Sequence, residues 1–356
     1  MKAAEKDARS GEHMAPASRG VRYPLVDVAR IAAFAGVLVL HVISPAGVGI
    51  TANILSRWAV PYFFMVAGFF SFGKEPRKLG RGLRHAIFLA FVAAGLYIAL
   101  QHYGLWWSGG ALVTVEYLGQ LALTPSFFVY NSVPFAYHLW FLFSLAYVYA
   151  FYVLWESCGY PRWALYVLAA LLFALRTTQF ELAGSPEPLG DLGEVSHCWY
   201  YVGIPMFAAG LALRGLWERG VRLPVPLLVA GLALGVWLSF AEYGRFGLQE
   251  VYVGTPIVAF CALGVCTRFS LPSLGRVPVL GRLLALGSAP TMYAYVVHLA
   301  VLDWVRYLWP AEAASEWWTY GVTLAISLGA GFILAAFASG VRLAASKVAQ
   351  FVGVAD

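Results

Sequence analysis

The stretch YPLVDVARIAAFAGVLVLHVISP, residues 23–45, is long and apolar enough to cross a bilayer as a helix, yet it holds Asp27, Arg30 and His41. A charged side chain at mid-membrane costs ~2.5–3.5 kcal/mol on insertion scales, so it is paired or faces a hydrated cavity, and it marks a functional site. Arg30 and His41 are 11 residues apart, three helical turns, which places them on one face about 16 Å apart. Each also has a purely structural reading. Arg30 can snorkel to the cytoplasmic interface, and His41 can be a hydrogen-bonded packing residue. Both on one stripe favour a site reached from the two sides of the membrane.

Outward from this stretch, composition decides the class. Hydrophobic residues make up 61% of the chain and charged ones 12%, with a mean hydropathy of +0.72, which is the balance of a membrane protein. Aromatic residues at 16% suit interfacial belts of Trp and Tyr. Ten apolar stretches are predicted to span, at about 24–43, 53–72, 85–103, 137–155, 163–180, 199–217, 224–241, 251–267, 284–307 and 317–339. With the N-terminus inside, 19 Lys and Arg residues fall on the cytoplasmic side. Four fall outside: Arg57, Arg176, Arg245 and Arg306. The positive-inside rule then puts both termini in the cytoplasm. The expected architecture is an all-α polytopic membrane protein. Residues 1–22 form a cytoplasmic tail without a signal-peptide core, 23–340 the transmembrane domain, and 341–356 a second cytoplasmic tail. The net charge of +6 reflects this asymmetry and calls for no nucleic-acid partner. Cys158, Cys198, Cys261 and Cys266 form no zinc or redox pattern, and no metal is expected.

The densest charge cluster is GKEPRKLGRGLRH, residues 73–85. It is a topology signal and a binder of anionic lipid heads. Arg81 and Arg84, three residues apart, add a second reading, because the planar guanidinium fork matches phosphate oxygens. Residues 104–136 form the longest external connection, and LVTVEYLGQLAL (112–123) within it is too short to span. It reads as a re-entrant or interfacial helix, with Glu116, Tyr130 and Asn131 as solvated residues or acceptor contacts. His138 and Trp140 open the fourth span as an aromatic sugar platform or an interfacial belt. The ninth span carries Tyr293, Tyr295 and His298, with Asp303 and Arg306 nearer its outer end.

A basic cytoplasmic mouth, a buried arginine and outward histidines suit a phosphorylated donor inside and a hydroxylated acceptor outside. Acyl-coenzyme A is such a donor, with its phosphates near Arg81, Arg84 and Arg30. An alcohol is a weak nucleophile at neutral pH, and a histidine is the natural base for it. His41 either takes the hydroxyl proton or accepts the acyl group and passes it on. His138, Trp140, Tyr295 and His298 are the candidate acceptor contacts. A rival reading is a transporter of a polar or lipid-linked solute, although no duplicated halves stand out.

Several of these residues also carry a resemblance. Arg30 followed by His41, with Asp27 one turn earlier, resembles the first-helix signature of the acyltransferase-3 family of integral membrane acyltransferases. VPYFFMVAGFF (60–70) resembles its second-helix pattern, although Ala67-Gly68-Phe69 stands where Ser-Gly-Tyr is usual. Arg81 and Arg84 match its Arg-x-x-Arg pair, and HLWFLFSLAYVY (138–149) and MYAYVVHLAVL (292–302) resemble two later segments. The resemblance implies acyl transfer from a cytoplasmic donor, acetyl-CoA by family default. It also implies an acceptor among surface polysaccharides, lipids, peptidoglycan or secondary metabolites. The expectation is O-acetylation of a sugar in a lipid-linked or secreted polysaccharide, at a bacterial-type plasma membrane. The extracytoplasmic hydrolase-like domain of some members is not expected here.

Overall fold

The structure is a computed structural model that describes residues 23–107, 110, 112–178, 198–269, 286 and 288–352. The expected tail 1–22, residues 353–356 of the tail expected at 341–356, and residues 179–197 lie outside the described residues, whereas 341–352 continue the last helix. Every regular element among the described residues is helical. The chain is an all-α polytopic membrane protein. Among the described residues, six helical segments have the length and apolarity to cross a membrane: Pro24–Val42, Val48–Ser71, Pro76–His102, Phe127–Ser157, Val225–Phe246 and Glu316–Val341.

The ten expected spans each coincide with helix, with instructive differences. Helix α1 (Pro24–Val42) starts with Pro24 in its first turn, where the missing N–H costs nothing, and stops at Ile43 in extended backbone. The second span is two helices, α2 (Val48–Ser56) and α3 (Ala59–Ser71), meeting at Arg57 and Trp58. Helix α4 (Pro76–His102) begins nine residues earlier than expected, so the arginines of the charged cluster sit in its first turns. Thr114 caps α5 (Val115–Leu123), its Oγ1 accepting from the Tyr117 N–H at 3.2 Å. This is the short helix read from residues 112–123, and α6 (Pro125–Tyr130) follows it. A 3₁₀ turn at Pro134–Leu139 leads into α7 (Trp140–Ser157). Then come α8 (Arg162–Thr177), a π turn at Trp199–Gly203, α9 (Ile204–Glu218), α10 (Val225–Phe246), α11 (Gly254–Arg268), α12 (Ala289–Leu308) and α13 (Glu316–Val352). Helices α8, α9 and α11 are 15–16 residues long. Helix α12 has 20 residues but carries His298, Asp303 and Arg306.

Helix α1 lies at the centre, packed against α2, α3, α11, α12 and α13. Around it α3 crosses α9, α4 pairs with α7, α10 with α11, and α12 with α13. The α3–α9 crossing is close because both helices present glycine. A Cβ on Gly68 would meet the Phe207 carbonyl oxygen at 2.0 Å, and one on Gly210 the Met65 carbonyl oxygen at 1.9 Å. Small residues at such a seam let backbones touch, which drives helix association where lipid offers no hydrophobic gain. Helices α10 and α13 instead expose Leu227, Val229, Trp237, Ile333 and Phe337, as a lipid-facing surface does.

Candidate functional site

The central helix positions two parts of one site. One turn above its start, Arg30 holds Asp27 in an ion pair through Nη1, and its guanidinium lies 5.6 Å from the centre of the Phe70 ring. The arginine is therefore neutralised in part by Asp27 and packed against an aromatic ring. It does not snorkel free. Asp27 and Arg30 line a cavity of about 890 Å³ bounded by α1, α3, α4, α7 and α12, within the ~300–1,000 Å³ range of small-molecule sites. Ala67, standing where the family pattern has serine, is part of its wall.

On α4 the cavity is lined by Gly82, His85, Ala86 and Leu89, spaced i, i+3, i+4, i+7 as one helical face. Arg81 and Arg84 are exposed and off that face. At 100° per residue Arg81 is about a quarter-turn from it and Arg84 nearly opposite. The basic groups on the wall are instead Arg30, Lys74 and His85. At the rim, desolvation and then the neighbouring Arg81 charge lower the Lys74 ammonium from its ordinary value. Lys74 and His85 belong to the same charged stretch as Arg81 and Arg84, and of these four the first two line the cavity.

The cavity ends on Tyr295 of α12. Beyond it the three histidines named from the sequence come together. The His298 ring centre lies 5.2 Å from that of His41 and 5.1 Å from that of His138. Tyr295 joins them, 5.4 Å from His298 and 6.0 Å from His138, and its hydroxyl donates to the His138 carbonyl. His138 and His298 are buried, whereas His41 is half-buried. The order along the site is cavity, Tyr295, the His138–His298 pair, then His41.

Other residues surround this cluster, and two of them, Tyr97 and Tyr137, were not singled out from the sequence. Tyr97 packs edge-on against His138 at 4.7 Å, donates to the Val296 carbonyl at 2.8 Å and accepts from the Ala300 N–H at 3.3 Å. Tyr137 brings its hydroxyl within 3.5 Å of His41 Nδ1. Arg306 donates to the His41 carbonyl at 3.4 Å. Buried Arg57 donates to Asn53 at 3.0 Å and to Glu250 at 2.7 Å; an arginine inside the second span was the available signal. Two sequence candidates stand apart. Trp140 packs on Phe64 and Phe141, outside the cluster. Asn131 is fully buried at φ +51°, ties the Trp199 N–H and the Trp140 carbonyl, and is a structural clamp. Among the described residues no group of His, Cys, Asp and Glu is arranged to hold a metal.

A family model described as an acyltransferase domain matches residues 23–336. The chain belongs to the acyltransferase-3 family. Neither a curated protein nor a solved structure matches the chain. As a member, it is a multi-pass membrane acyltransferase, and the match covers both the cavity and the histidine cluster.

Proposed function

We propose that this membrane acyltransferase moves an acetyl group from cytoplasmic acetyl-CoA to a sugar hydroxyl of a lipid-linked or secreted polysaccharide. The supporting observation is the continuity of the site: a cavity of about 890 Å³ with Arg30, Lys74 and His85 on its wall ends at Tyr295, against the histidine cluster. The charge asymmetry of the sequence turns the cavity's Lys74 end to the cytoplasm. Coenzyme phosphates sit at Lys74, His85 and Arg30, and the pantetheine arm brings the thioester to Tyr295.

The acceptor approaches from the His41 end, across the membrane from the donor. His41 is the half-buried imidazole there, and the sequence makes it the first candidate for proton acceptor or acyl carrier. Trp107 and Tyr307, exposed and stacked at 5.0 Å beside Trp304, take over the role of sugar platform expected of His138 and Trp140. A transporter reading needs a path for its solute, and imidazole and phenol rings in contact between Tyr295 and His41 leave little room for one.

The test is release of free thiol from acetyl-CoA by purified full-length protein, with and without candidate sugars. Thiol release that rises with a sugar and yields its acetyl ester is expected. Protein that binds coenzyme A but transfers nothing to any hydroxyl, while moving a solute across vesicles, would overturn the assignment.

A further inference from the structure

The three histidines differ in how their ring nitrogens are committed. His298 Nδ1 lies 2.6 Å from the Tyr295 carbonyl oxygen. A carbonyl can only accept, so Nδ1 carries the proton and donates it. A neutral imidazole has one such proton, which leaves Nε2 with a bare lone pair. That atom is buried and has no hydrogen-bond partner in the structure. An unpartnered buried acceptor carries a desolvation cost and calls for an explanation. The other two are committed differently: His41 Nδ1 faces the Tyr137 hydroxyl at 3.5 Å, which can donate or accept, and both ring nitrogens of His138 are buried without a hydrogen bond, so in neither is a tautomer selected.

Position separates them as well. The cavity stops at Tyr295, whose ring is 5.4 Å from His298, and His41 lies a further 5.2 Å beyond His298. The leaving sulfur of a thioester delivered through the cavity departs on the His298 side of the cluster. A single base that carries the proton from the attacking oxygen to that sulfur must meet both.

We propose that His298, rather than His41, is the general base of the transfer; this rests on the acyltransferase reading above. The acceptor hydroxyl gives its proton to His298 Nε2 as its oxygen attacks the thioester carbon. The new O–C bond forms, the C–S bond breaks, and the thiolate takes the proton back from Nε2. The imidazole ends neutral, and no further reactant is consumed. While it holds the proton, the imidazolium is stabilised by the Tyr295 carbonyl on Nδ1–H. His41, on the side away from the cavity, positions the acceptor.

The test uses full-length protein in detergent, acetyl-CoA as donor, and water or glycerol as the hydroxyl probe. His298→Asn keeps an amide N–H near the place of Nδ1–H but has nothing at Nε2. Coenzyme A affinity within about twofold of wild type and thiol release lowered roughly 10²–10⁴-fold are expected. Added imidazole should restore release to His298→Ala and not to His41→Ala, and this pair decides the matter if the asparagine variant does not fold. Release by His298→Asn within about threefold of wild type would overturn the assignment, as would loss of coenzyme A binding together with release, or rescue of His41→Ala alone. A wild-type protein that releases no thiol above buffer would overturn the acyltransferase reading itself.

Discussion

The two ends of the site are built in opposite ways. Toward Lys74 the helices stand apart around about 890 Å³ of space, and polar groups dot an apolar wall. Toward His41 they close, and four aromatic rings, three of them imidazoles, fill the gap between α1, the 3₁₀ turn before α7, and α12. The open half suits a bulky ligand that binds and leaves. The packed half suits chemistry, where each side chain is held by its neighbours and water is excluded. Binding and transfer should therefore separate under mutation, and each substitution below probes that separation.

The largest effect is expected in the packed half. His41→Ala removes the half-buried imidazole of the cluster without touching the cavity wall. Transfer should fall on the order of 100-fold, the cost of mispositioned reactants, while coenzyme A binds as before in calorimetry. Parallel loss of both would mean that the two halves are not separable.

Next comes the cavity wall. Arg30→Ala removes a guanidinium and leaves Asp27 without it on the cavity wall. A charge-assisted contact is worth roughly 1.5–3 kcal/mol, so the apparent donor constant should rise about tenfold or more, with a smaller change in the rate at saturating donor. Arg30→Lys keeps the charge but not the fork. Full recovery by lysine would reduce Arg30 to a snorkelling charge.

Lys74 gives a pH signature. Desolvation and Arg81 hold its ammonium pKa down, so as pH rises the cation is lost earlier than an ordinary lysine would lose it. If it faces coenzyme phosphates, donor affinity should weaken as the medium becomes alkaline. Lys74→Arg, which stays charged, should flatten that dependence. A wild-type profile identical to that of Lys74→Arg would remove Lys74 from the donor site.

The smallest effect is expected from Arg81→Ala with Arg84→Ala. Both side chains are exposed and neither lines the cavity. Exposed charges contribute at most ~1 kcal/mol per pair, so the donor constant should change less than about fivefold. A change larger than that of Arg30→Ala would return the arginine pair to the front, as its spacing alone suggested.

The sequence by itself determined the class and the helices, and it marked the ionisable groups within them. Runs of about twenty apolar residues leave the backbone no alternative to helix in lipid. The cost of burying ionisable groups there marked Arg30, His41, His138 and His298 before any fold was known. Tertiary structure decided which of these residues meet. His41, His138 and His298 are far apart in the chain, and helical periodicity says which side of a helix a residue takes, not what lies opposite. In a soluble protein the apolar face would point to the core. In a membrane both the lipid and the interior are apolar, so hydropathy does not orient the helix. That is why the place of Lys74 and His85 on the cavity wall, with Arg81 and Arg84 off it, shows only once α4 is set against α7. The choice is made by close backbone contacts such as Gly68 on Phe207 and Gly210 on Met65, which lock rotation and depth where the solvent supplies no direction.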